Sequence, residues 1–348
     1  MNFAEIIGQE DAKNLLKNAI KTGSTSHAYI FSGEQGSGKM MLAEAFAAML
    51  QCENPNDDSC GECHSCIQAA SRNNPDIIYV TREKGKANLS VDVIREQINN
   101  DIVIKPYSNK YKIYIVDEAE KMNQQAQNAL LKTIEEPPAY AIIILLTTNH
   151  NAFLPTILSR CVTIQMKSID SDLITKTLQE KYQIVDYQAE MVSTFAQGNL
   201  GRAIELATSE EFKEIKNRVV SLVKKAGKMD EAEIASEVSL IKSDRDRDKK
   251  EEKSNEEKQK SISLIDQMLD LITLWFRDVL LYKATRDENL LIFKEDTYDV
   301  KAQSLDCTYS GLNQIFEVLT ETRNRLNANV NFELTILLLI QAIKENTR

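Results

Sequence analysis

The stretch FSGEQGSGKMMLAEAF, residues 31–46, constrains the fold of this chain more than any other. Residues 33–39 fit the pattern G-x-x-x-x-G-K and follow an apolar run. Behind them, Leu42, Phe46 and Met49 have the spacing of an amphipathic helix. A strand, a glycine-rich turn and a helix in this order are typical of a phosphate-binding loop. The sequence therefore predicts an α/β domain with a nucleotide-binding fold.

The residue types of this loop suit phosphate. Small residues let backbone N–H groups point at phosphate oxygens, and the N-terminus of the helix adds partial positive charge. A lysine at the end of the loop would reach the β and γ phosphates. An ordinary glycine turn before a helix is the alternative. The predicted phosphate-binding residues are Gly33, Gly36, Ser37, Gly38 and Lys39.

Met40 stands where this motif has serine or threonine. That hydroxyl normally ligates Mg²⁺, which prefers hard oxygen ligands in near-octahedral geometry. The methionine thioether is soft and cannot replace it, and Met41 has no hydroxyl either. The sequence thus favours phosphate binding, disfavours metal-assisted hydrolysis, and leaves open whether this loop holds ATP with Mg²⁺.

A second apolar run, KIYIVDE, ends in Asp117 and Glu118. In phosphoryl-transfer sites such an aspartate holds the metal, and an acidic neighbour polarises the attacking water. A plain strand end with two acids is the alternative, but the phosphate loop upstream favours the nucleotide interpretation. One half of a catalytic site is therefore intact in sequence, and the other half is altered.

Four cysteines form a C-x7-C-x2-C-x2-C array: Cys52, Cys60, Cys63 and Cys66. Four thiolates at this spacing suit a structural, tetrahedral Zn²⁺. His64 lies between two of the cysteines as a competing ligand. An iron–sulfur cluster and a set of free thiols are both compatible with the same spacing. Cys161 and Cys307 stand apart from the array.

The chain divides by pattern. Residues 1–165 alternate short apolar runs with helical patterns, as in a parallel sheet whose two faces are covered. The four predicted strands are 27–33, 76–81, 112–118 and 141–149. Residues 168–208 are helical in pattern with a glycine break at 197–203, and only helical patterns follow.

Two later segments, 262–282 and 332–343, are nearly apolar all round, which predicts helices buried in a bundle or at a subunit interface. The segment 242–260 is so rich in charge that we expect a solvated helix extension or a loop.

Composition narrows the functional classes. A chain of 348 residues has room for two or three domains, and no apolar run approaches the roughly 20 residues that span a bilayer. The N-terminus lacks the pattern of a secretory signal, so we expect a cytoplasmic protein. A net charge of −10 predicts that any DNA contact is local, indirect or shared with partner chains.

At this point the chain resembles a known family. The phosphate loop, the four-cysteine insert, DEAEKM (117–122), NALLKTIEEPP (128–138) and LPTILSRC (154–161) have the order and spacing of bacterial clamp-loader subunits. These subunits are AAA+ proteins of the DNA polymerase III holoenzyme. The resemblance extends to the last predicted helix, so that it covers the whole chain.

The resemblance implies three domains: an AAA+ α/β domain over 1–165 with a zinc module at 52–66, a small helical lid over 166–208, and an all-helical collar over 209–348. Two kinds of subunit share this layout, the ATP-hydrolysing gamma/tau kind and the delta-prime kind. The resemblance implies Ser or Thr after the loop lysine in the gamma/tau kind, and a tau form that continues past the collar. This sequence has Met40 and ends at the predicted collar, so we expect the delta-prime kind.

The family's functional residues fall on positions of this sequence. Arg160 in SRC matches an arginine finger that reaches the γ-phosphate of a neighbouring subunit. Thr148, or alternatively Thr147, matches the first sensor, and Arg202 in GNLGRA matches the second. Glu118 matches the catalytic glutamate, and Asp117 matches the metal-holding aspartate.

The implied assembly is a hetero-pentamer with gamma/tau and delta subunits. It loads the sliding clamp at primer–template DNA, as part of the nucleoid-associated replisome and without a membrane. Three further interpretations stay open: an active gamma-like ATPase, a pure scaffold with an empty phosphate loop, and a metal-binding regulator outside replication.

Overall fold

The computed structural model of the chain describes residues 2–82, 86, 88–254, 264–328 and 330–347, without the side chains of 248–254. It divides into two compact units. The first comprises Met1–Ile174 and Ala196–Arg202, and the second comprises Thr175–Phe195 and Ala203–Arg348. The three-domain division at 165 and 208 stays a prediction.

The first unit is built on a five-stranded sheet in the order β2-β3-β4-β1-β5. Each pair of neighbouring strands is parallel, which confirms the predicted α/β class. The strands are β1 Ala28–Ser32, β2 Ile77–Val80, β3 Lys112–Val116, β4 Ala141–Thr147 and β5 Val162–Gln165.

The first four strands lie within the four predicted segments, whereas β5 was not predicted. It is an edge strand that pairs with β1, and only Ile164 among its four residues is buried. Because its other side chains are exposed, β5 lacks the continuous apolar run that marks β1, β3 and β4.

The helices of the chain, in order, are α1 Glu10–Lys21, α2 Lys39–Gln51, α3 His64–Ala70, α4 Val91–Ile94 (continued by a π-helical turn, Arg95–Asn99), α5 Gln124–Glu135, α6 Pro155–Leu158, α7 Ser171–Tyr182, α8 Asp186–Ala196, α9 Leu200–Thr208, α10 Glu210–Lys225, α11 Glu231–Ser254, α12 Leu264–Thr285, α13 Thr297–Asp306, α14 Tyr309–Asn327 and α15 Phe332–Asn346.

Each face of the sheet carries its own core. On one face, Tyr29 of β1 meets Phe46 of α2 edge to face, with ring centroids 5.1 Å apart. On the other face, Ile30 of β1 packs in a cluster with Leu130 of α5. The alternation of neighbouring strand residues between the two clusters follows from the two-residue period of a strand.

Helix α2 begins where the sequence predicts, but the amphipathic character expected for it was wrong. Every residue from Leu42 to Gln51 is buried. The reason is that α2 contacts the sheet together with α1 and α3, so that no side of these turns faces water.

The second unit contains only helices among its described residues, as predicted. In its core the indole of Trp275 lies 5.2 Å from the ring of Phe293, and its Nε1 donates to Gln303 Oε1 at 2.6 Å. The predicted segments 262–282 and 332–343 correspond to α12 and α15. Residues 262 and 263 lie outside the described range.

Helix α11 accounts for the charged segment up to Ser254, and residues 255–260 lie outside the described range. Within the described residues, we find no helix with the length and apolar character that a membrane span requires.

Asp76, just before β2, organises the loop that leads into β3. Its carboxylate is 1% exposed and accepts hydrogen bonds from the backbone N–H groups of Tyr107 (2.6 Å), Ser108 (3.0 Å) and Asn109 (3.2 Å). Three donors on one buried carboxylate fix the path of this loop.

We expect Asp76→Ala to lower the free energy of unfolding by at least about 2 kcal/mol, because it leaves backbone donors without an acceptor. Urea denaturation of the full chain would measure the change. The exposed Glu96→Ala is the control and should stay within about 0.5 kcal/mol of the wild type. Equal stability of the two variants would contradict this role for Asp76.

Candidate nucleotide and metal sites

The phosphate loop connects β1 to α2 with a geometry that needs its glycines. Gly36 and Gly38 have φ values of +78° and +88°, a region that residues with a Cβ rarely adopt. The N–H of Gly33 donates to the carbonyl of Thr147 at 3.1 Å, which continues the β1–β4 ladder into the loop. The loop therefore starts as sheet and ends as the N-terminus of a 13-residue helix.

Two side chains of the loop bear on phosphate binding. The ammonium of Lys39 donates to the carbonyls of Gly33 and Glu34, both at 2.7 Å. The hydroxyl of Ser37 is buried and has no hydrogen-bond partner among the described residues. A phosphate oxygen in the loop would satisfy that hydroxyl, so the loop fits a phosphate group on its own geometry.

The charge around Lys39 is set by burial and by acids. Burial lowers the pKa of the Lys39 ammonium, and the carboxylates of Glu120, Asp117 and Glu34 oppose that effect. Burial also raises the pKa of Asp117. Glu120 was missed by sequence reasoning, although its place three residues after Asp117 puts it beyond the same strand end.

Glu118 is held by two cations. Its residue has a left-handed conformation with φ +48°, and its carboxylate forms ion pairs with Arg82 Nε at 2.6 Å and with Lys121. Burial would raise the pKa of Glu118, but Lys121 and Arg82 outweigh burial and lower it. The carboxylate stays ionised, and any water molecule that it polarises would share it with both cations.

The sensor candidates at the end of β4 differ in exposure. Thr147 is buried, and its hydroxyl accepts from the N–H of Asn149. Thr148 is exposed, and its hydroxyl and N–H donate to the Glu120 carboxylate at 2.8 and 3.3 Å. Of the two candidates, Thr148 is therefore the one beside the acidic strand end.

The segment that carries Arg202 lies against the phosphate loop. Asn199 Nδ2 donates to the carbonyl of Gln35 at 2.6 Å, and the N–H of Gly201 donates to the carbonyl of Gly36 at 3.1 Å. A Cβ on Gly36 would lie 3.3 Å from the backbone nitrogen of Arg202. The structure thus places the backbone of Arg202 beside the phosphate loop, and its role as the second sensor stays a prediction.

Met40 is half-buried and packs against the core between α2 and the sheet. A second methionine, Met166, was missed by sequence reasoning. It follows β5, and a Cβ on Gly33 would lie 2.7 Å from the Met166 Cβ. Met166 therefore packs against the start of the loop, and Met40 offers no hydroxyl at the position where the motif normally has one.

The four cysteines of the array come together between α2 and α3. Their sulfur atoms all lie within 4.8 Å of one another, and the sulfurs of Cys60 and Cys66 are 3.9 Å apart. A tetrahedral Zn²⁺ with ~2.3 Å bonds to sulfur implies sulfur–sulfur distances of ~3.8 Å. The cluster can hold a metal ion, and among the described residues it consists of the cysteines without His64.

Backbone N–H groups point at these sulfurs. The N–H of Cys60 donates to the sulfur of Cys52, and the N–H of Cys63 donates to the sulfur of Cys60, both at 3.3 Å. The backbone groups of Cys63 and Glu62 lower the pKa of the Cys60 thiol to about 7, whereas burial raises the pKa of Cys66. Such donors suit thiolate ligands, which are the metal-binding form of cysteine.

The cysteine segment is tied to the phosphate-loop helix. Arg72, two residues after α3, forms an ion pair at 2.7 Å with the buried carboxylate of Glu44 on α2. The same guanidinium lies over the ring of Tyr79, 5.3 Å from its centroid. The phosphate loop and the cysteine cluster therefore lie at opposite ends of one helix, α2.

Arg160 lies on the surface after α6. Its Nη1 donates to the carbonyl of Thr156 at 3.0 Å and to the Ser159 hydroxyl at 3.3 Å, and its Nη2 is 3.0 Å from Glu135 Oε1. In the part of the chain that the structure describes, its polar contacts are to α5 and to α6 with the turn after it. It is not part of the chain's own phosphate loop.

Comparison with known proteins finds similarity to subunits of DNA polymerase III. The family model described as DNA polymerase III, delta subunit, matches residues 8–170. The delta-prime subunit of DNA polymerase III from Bacillus subtilis (strain 168) is 28% identical over 327 residues, which cover 93% of this chain and 93% of that protein.

Two tau relatives match a shorter region. The tau subunit from Bacillus subtilis is 36% identical over 210 residues, 59% of this chain and 37% of the relative. The tau subunit from Escherichia coli (strain K12) is 31% identical over 210 residues, 59% of this chain and 32% of the relative. The chain thus spans about a third of the length of these tau relatives.

Solved structures align more loosely. A gamma-subunit-related protein from Thermotoga maritima aligns with 97% of this chain and 100% of its own, at 20% identity and a TM-score of 0.45. The RuvB branch-migration motor of Thermotoga maritima aligns with 64% of this chain and 66% of its own, at 17% identity and a TM-score of 0.41.

The contact of Gly201 with the phosphate loop yields a test. A Cβ on Gly201 would lie 2.6 Å from the Gly36 carbonyl oxygen and 2.7 Å from its Cα. Alanine for glycine inside a helix normally stabilises by about 0.5–1 kcal/mol. Here the clash with the backbone of Gly36 outweighs that gain. We therefore expect Gly201→Ala to lower the free energy of unfolding by about 1–3 kcal/mol.

Chemical denaturation of the full chain would measure the effect of Gly201→Ala, and Gly201→Ser should act in the same direction. A gain in stability from alanine, as at an open helix position, would show that the loop does not rest on α9 in this way.

Proposed function

We propose that this chain, which is similar to subunits of DNA polymerase III, acts as a delta-prime-type clamp-loader subunit, helping to load the sliding clamp onto primed DNA in replication. The observation that carries the proposal is the extent of the match. The delta-prime relative aligns over 93% of both chains, whereas the tau relatives align over 59% of this one.

The proposed mechanism is indirect, because this chain's own site is poorly equipped for hydrolysis. Met40 supplies no hydroxyl for Mg²⁺, and Glu118 is engaged by Arg82 and Lys121. Bound ATP would supply the γ-phosphoryl group as the electrophile and ADP as the leaving group. Gly33, Gly36, Ser37, Gly38 and Lys39 would hold the phosphates, Asp117 would face the metal, and Thr148 and Arg202 would border the γ-phosphate.

The catalytic contribution proposed for the chain is Arg160, acting on an adjacent subunit. Its side chain is exposed and contacts α5, α6 and the turn after it rather than the chain's own loop. An arginine delivered in trans stabilises the charge that builds up in phosphoryl transfer, and in well-studied GTPases it is worth ~10³–10⁵ in rate. The neighbour's ATP site would therefore be incomplete without it.

The proposed assembly is a hetero-pentamer with gamma/tau and delta subunits, joined through the helical collar and located in the cytoplasmic replisome. Contact with the sliding clamp and with primer–template DNA would come through the complex. The net charge of −10 supports little direct phosphate neutralisation by this chain.

We further propose Zn²⁺ in the four-cysteine cluster, with a structural role. Four sulfurs that lie within 4.8 Å of one another would close the coordination shell of Zn²⁺ and leave no open position for catalysis. Arg72 links this segment to α2, so the metal would stiffen the region behind the phosphate loop.

An ATP-hydrolysing subunit of the gamma/tau kind is the second candidate function. The complete G-x-x-x-x-G-K loop, together with Asp117 and Glu118, favours it. It requires an unusual metal shell, because the ligand at position 40 is missing.

For the trans mechanism, we expect the isolated chain to show no ATP turnover. Arg160→Ala in the reconstituted complex should reduce hydrolysis by about 10³-fold at the site that Arg160 faces. Pre-steady-state phosphate release, measured on the complex and on the chain alone, would check both expectations.

Turnover by the chain alone, abolished by Lys39→Ala, would support the gamma-like ATPase instead. Unchanged hydrolysis by the Arg160→Ala complex would mean that this arginine is only an interface residue.

For the metal site, we expect about one Zn²⁺ per purified chain by elemental analysis. Cys66→Ser should lower the zinc content and the melting temperature, because a ligand of the cluster is lost. Cys161→Ser is the matched control, since that cysteine lies outside the cluster, and it should leave the zinc content intact. Iron in place of zinc, or equal losses in the two variants, would contradict the proposal.

A further inference from the structure

The Arg160 guanidinium is held from two sides by separate elements. On one side, Nη1 donates to the carbonyl of Thr156 in α6 and to the Ser159 hydroxyl. On the other side, Nη2 is 3.0 Å from Oε1 of Glu135, the last residue of α5. A side chain this long and this exposed would otherwise sample many rotamers.

Both of these elements are anchored. Helix α5 buries Ala126, Leu130 and Ile134 in the core on its side of the sheet. Gln127 of the same helix donates to the carbonyl of Ala152 at 3.0 Å and accepts from the N–H of Leu154 at 2.8 Å. The start of α6 is thereby fixed to α5, so the two groups that hold Arg160 keep a constant separation.

The contacts leave donors for a phosphate. A guanidinium has five N–H groups. The hydrogen bonds to Thr156 and Ser159 use the two hydrogens of Nη1, and the Glu135 contact uses one of Nη2. Within the part of the chain that the structure describes, the N–H of Nε and the second hydrogen of Nη2 have no such contact and remain for a ligand.

We propose that Glu135 is a positioning residue for Arg160. It orients the guanidinium before the neighbouring subunit's ATP arrives, so that its remaining donors meet the γ-phosphate without a search through rotamers. The inference rests on the proposed role of Arg160 in trans. It assigns a function to the first glutamate of the segment NALLKTIEEPP, which lies outside both phosphate-binding motifs of the chain.

A structural role for the same ion pair would have a different signature. Both side chains are more than a third exposed, 40% for Arg160 and 44% for Glu135, and exposed pairs of this kind contribute little to folding stability. If Glu135 positions Arg160, removing it should lower the maximal rate of hydrolysis while the stability of the chain stays unchanged.

The experiment is phosphate release by the complex reconstituted with gamma/tau and delta subunits, carrying Glu135→Ala, Glu135→Gln, Arg160→Ala or Glu135→Ala with Arg160→Ala. We expect Glu135→Ala to lower kcat at the facing site about tenfold with KM within about twofold. Glu135→Gln should lose less, because its amide oxygen still accepts from Nη2.

Glu136→Ala is the matched control, since Glu136 is the next residue and is also exposed. It should stay within about twofold of the wild-type kcat. The double variant should be no slower than Arg160→Ala alone, because two residues that act as one unit give non-additive losses. Melting curves of the free variants should coincide with that of the wild type.

Losses that multiply in the double variant, or a Glu135→Ala rate equal to that of Glu136→Ala, would overturn the inference. If Glu135→Ala unfolds the chain, the inference is decided by Glu135→Gln, which must lower kcat without lowering the melting temperature. An unchanged rate for Arg160→Ala would instead refute the trans mechanism itself. If adding Glu135→Ala to the Arg160→Ala variant lowered the rate of hydrolysis further, Glu135 would act independently of Arg160, which would also overturn the inference.

Discussion

The parallel pairing of β1 and β3 with β4 is the constraint on which the candidate nucleotide site depends. Because the three strands run in the same direction, their carboxyl ends meet at one edge of the sheet, where ligands bind in open α/β sheets. The phosphate loop leaves β1 there, the acidic pair follows β3, and Thr148 follows β4. The cores on both faces of the sheet hold the strand ends in register, and the strand ends in turn hold the loops that follow them close together.

Within that site, charges are paired before any ligand enters. Lys39 bonds to carbonyls of its own loop, Glu118 bonds to Arg82 and Lys121, and Glu120 bonds to Thr148. A nucleotide would have to exchange these contacts for its own, so its binding energy would be spent partly on breaking them. The bonds to be exchanged belong to the loops at the strand ends rather than to the core, so breaking them would leave the packing of the sheet intact.

Much of this could be predicted from the sequence, because strong local signals carried it. The phosphate loop, four of the five strands and the cysteine array each have a characteristic residue pattern within a short stretch of sequence. Edge strand β5 was not predicted, because only Ile164 of its residues is buried. The burial of α2 on all sides was not predicted, because its many alanines fit equally well on a buried or an exposed face. The positions of Glu120, Met166 and Glu135 at the candidate sites were not predicted for another reason. Each contacts a residue that is distant in sequence, and the periodicity of a sequence does not report such contacts.

The ion pair of Glu44 with Arg72 gives the cysteine segment an electrostatic part in the first unit. Glu44 is a carboxylate in the middle of a helix whose surroundings are otherwise apolar, and its cation comes from the residues just after α3. A buried carboxylate that loses such a partner costs on the order of 1–3 kcal/mol. Any displacement of the segment after α3 would therefore leave an unbalanced charge in α2. In this respect the residues that follow the cysteine array supply the counterion for a buried carboxylate in the helix that begins at Lys39.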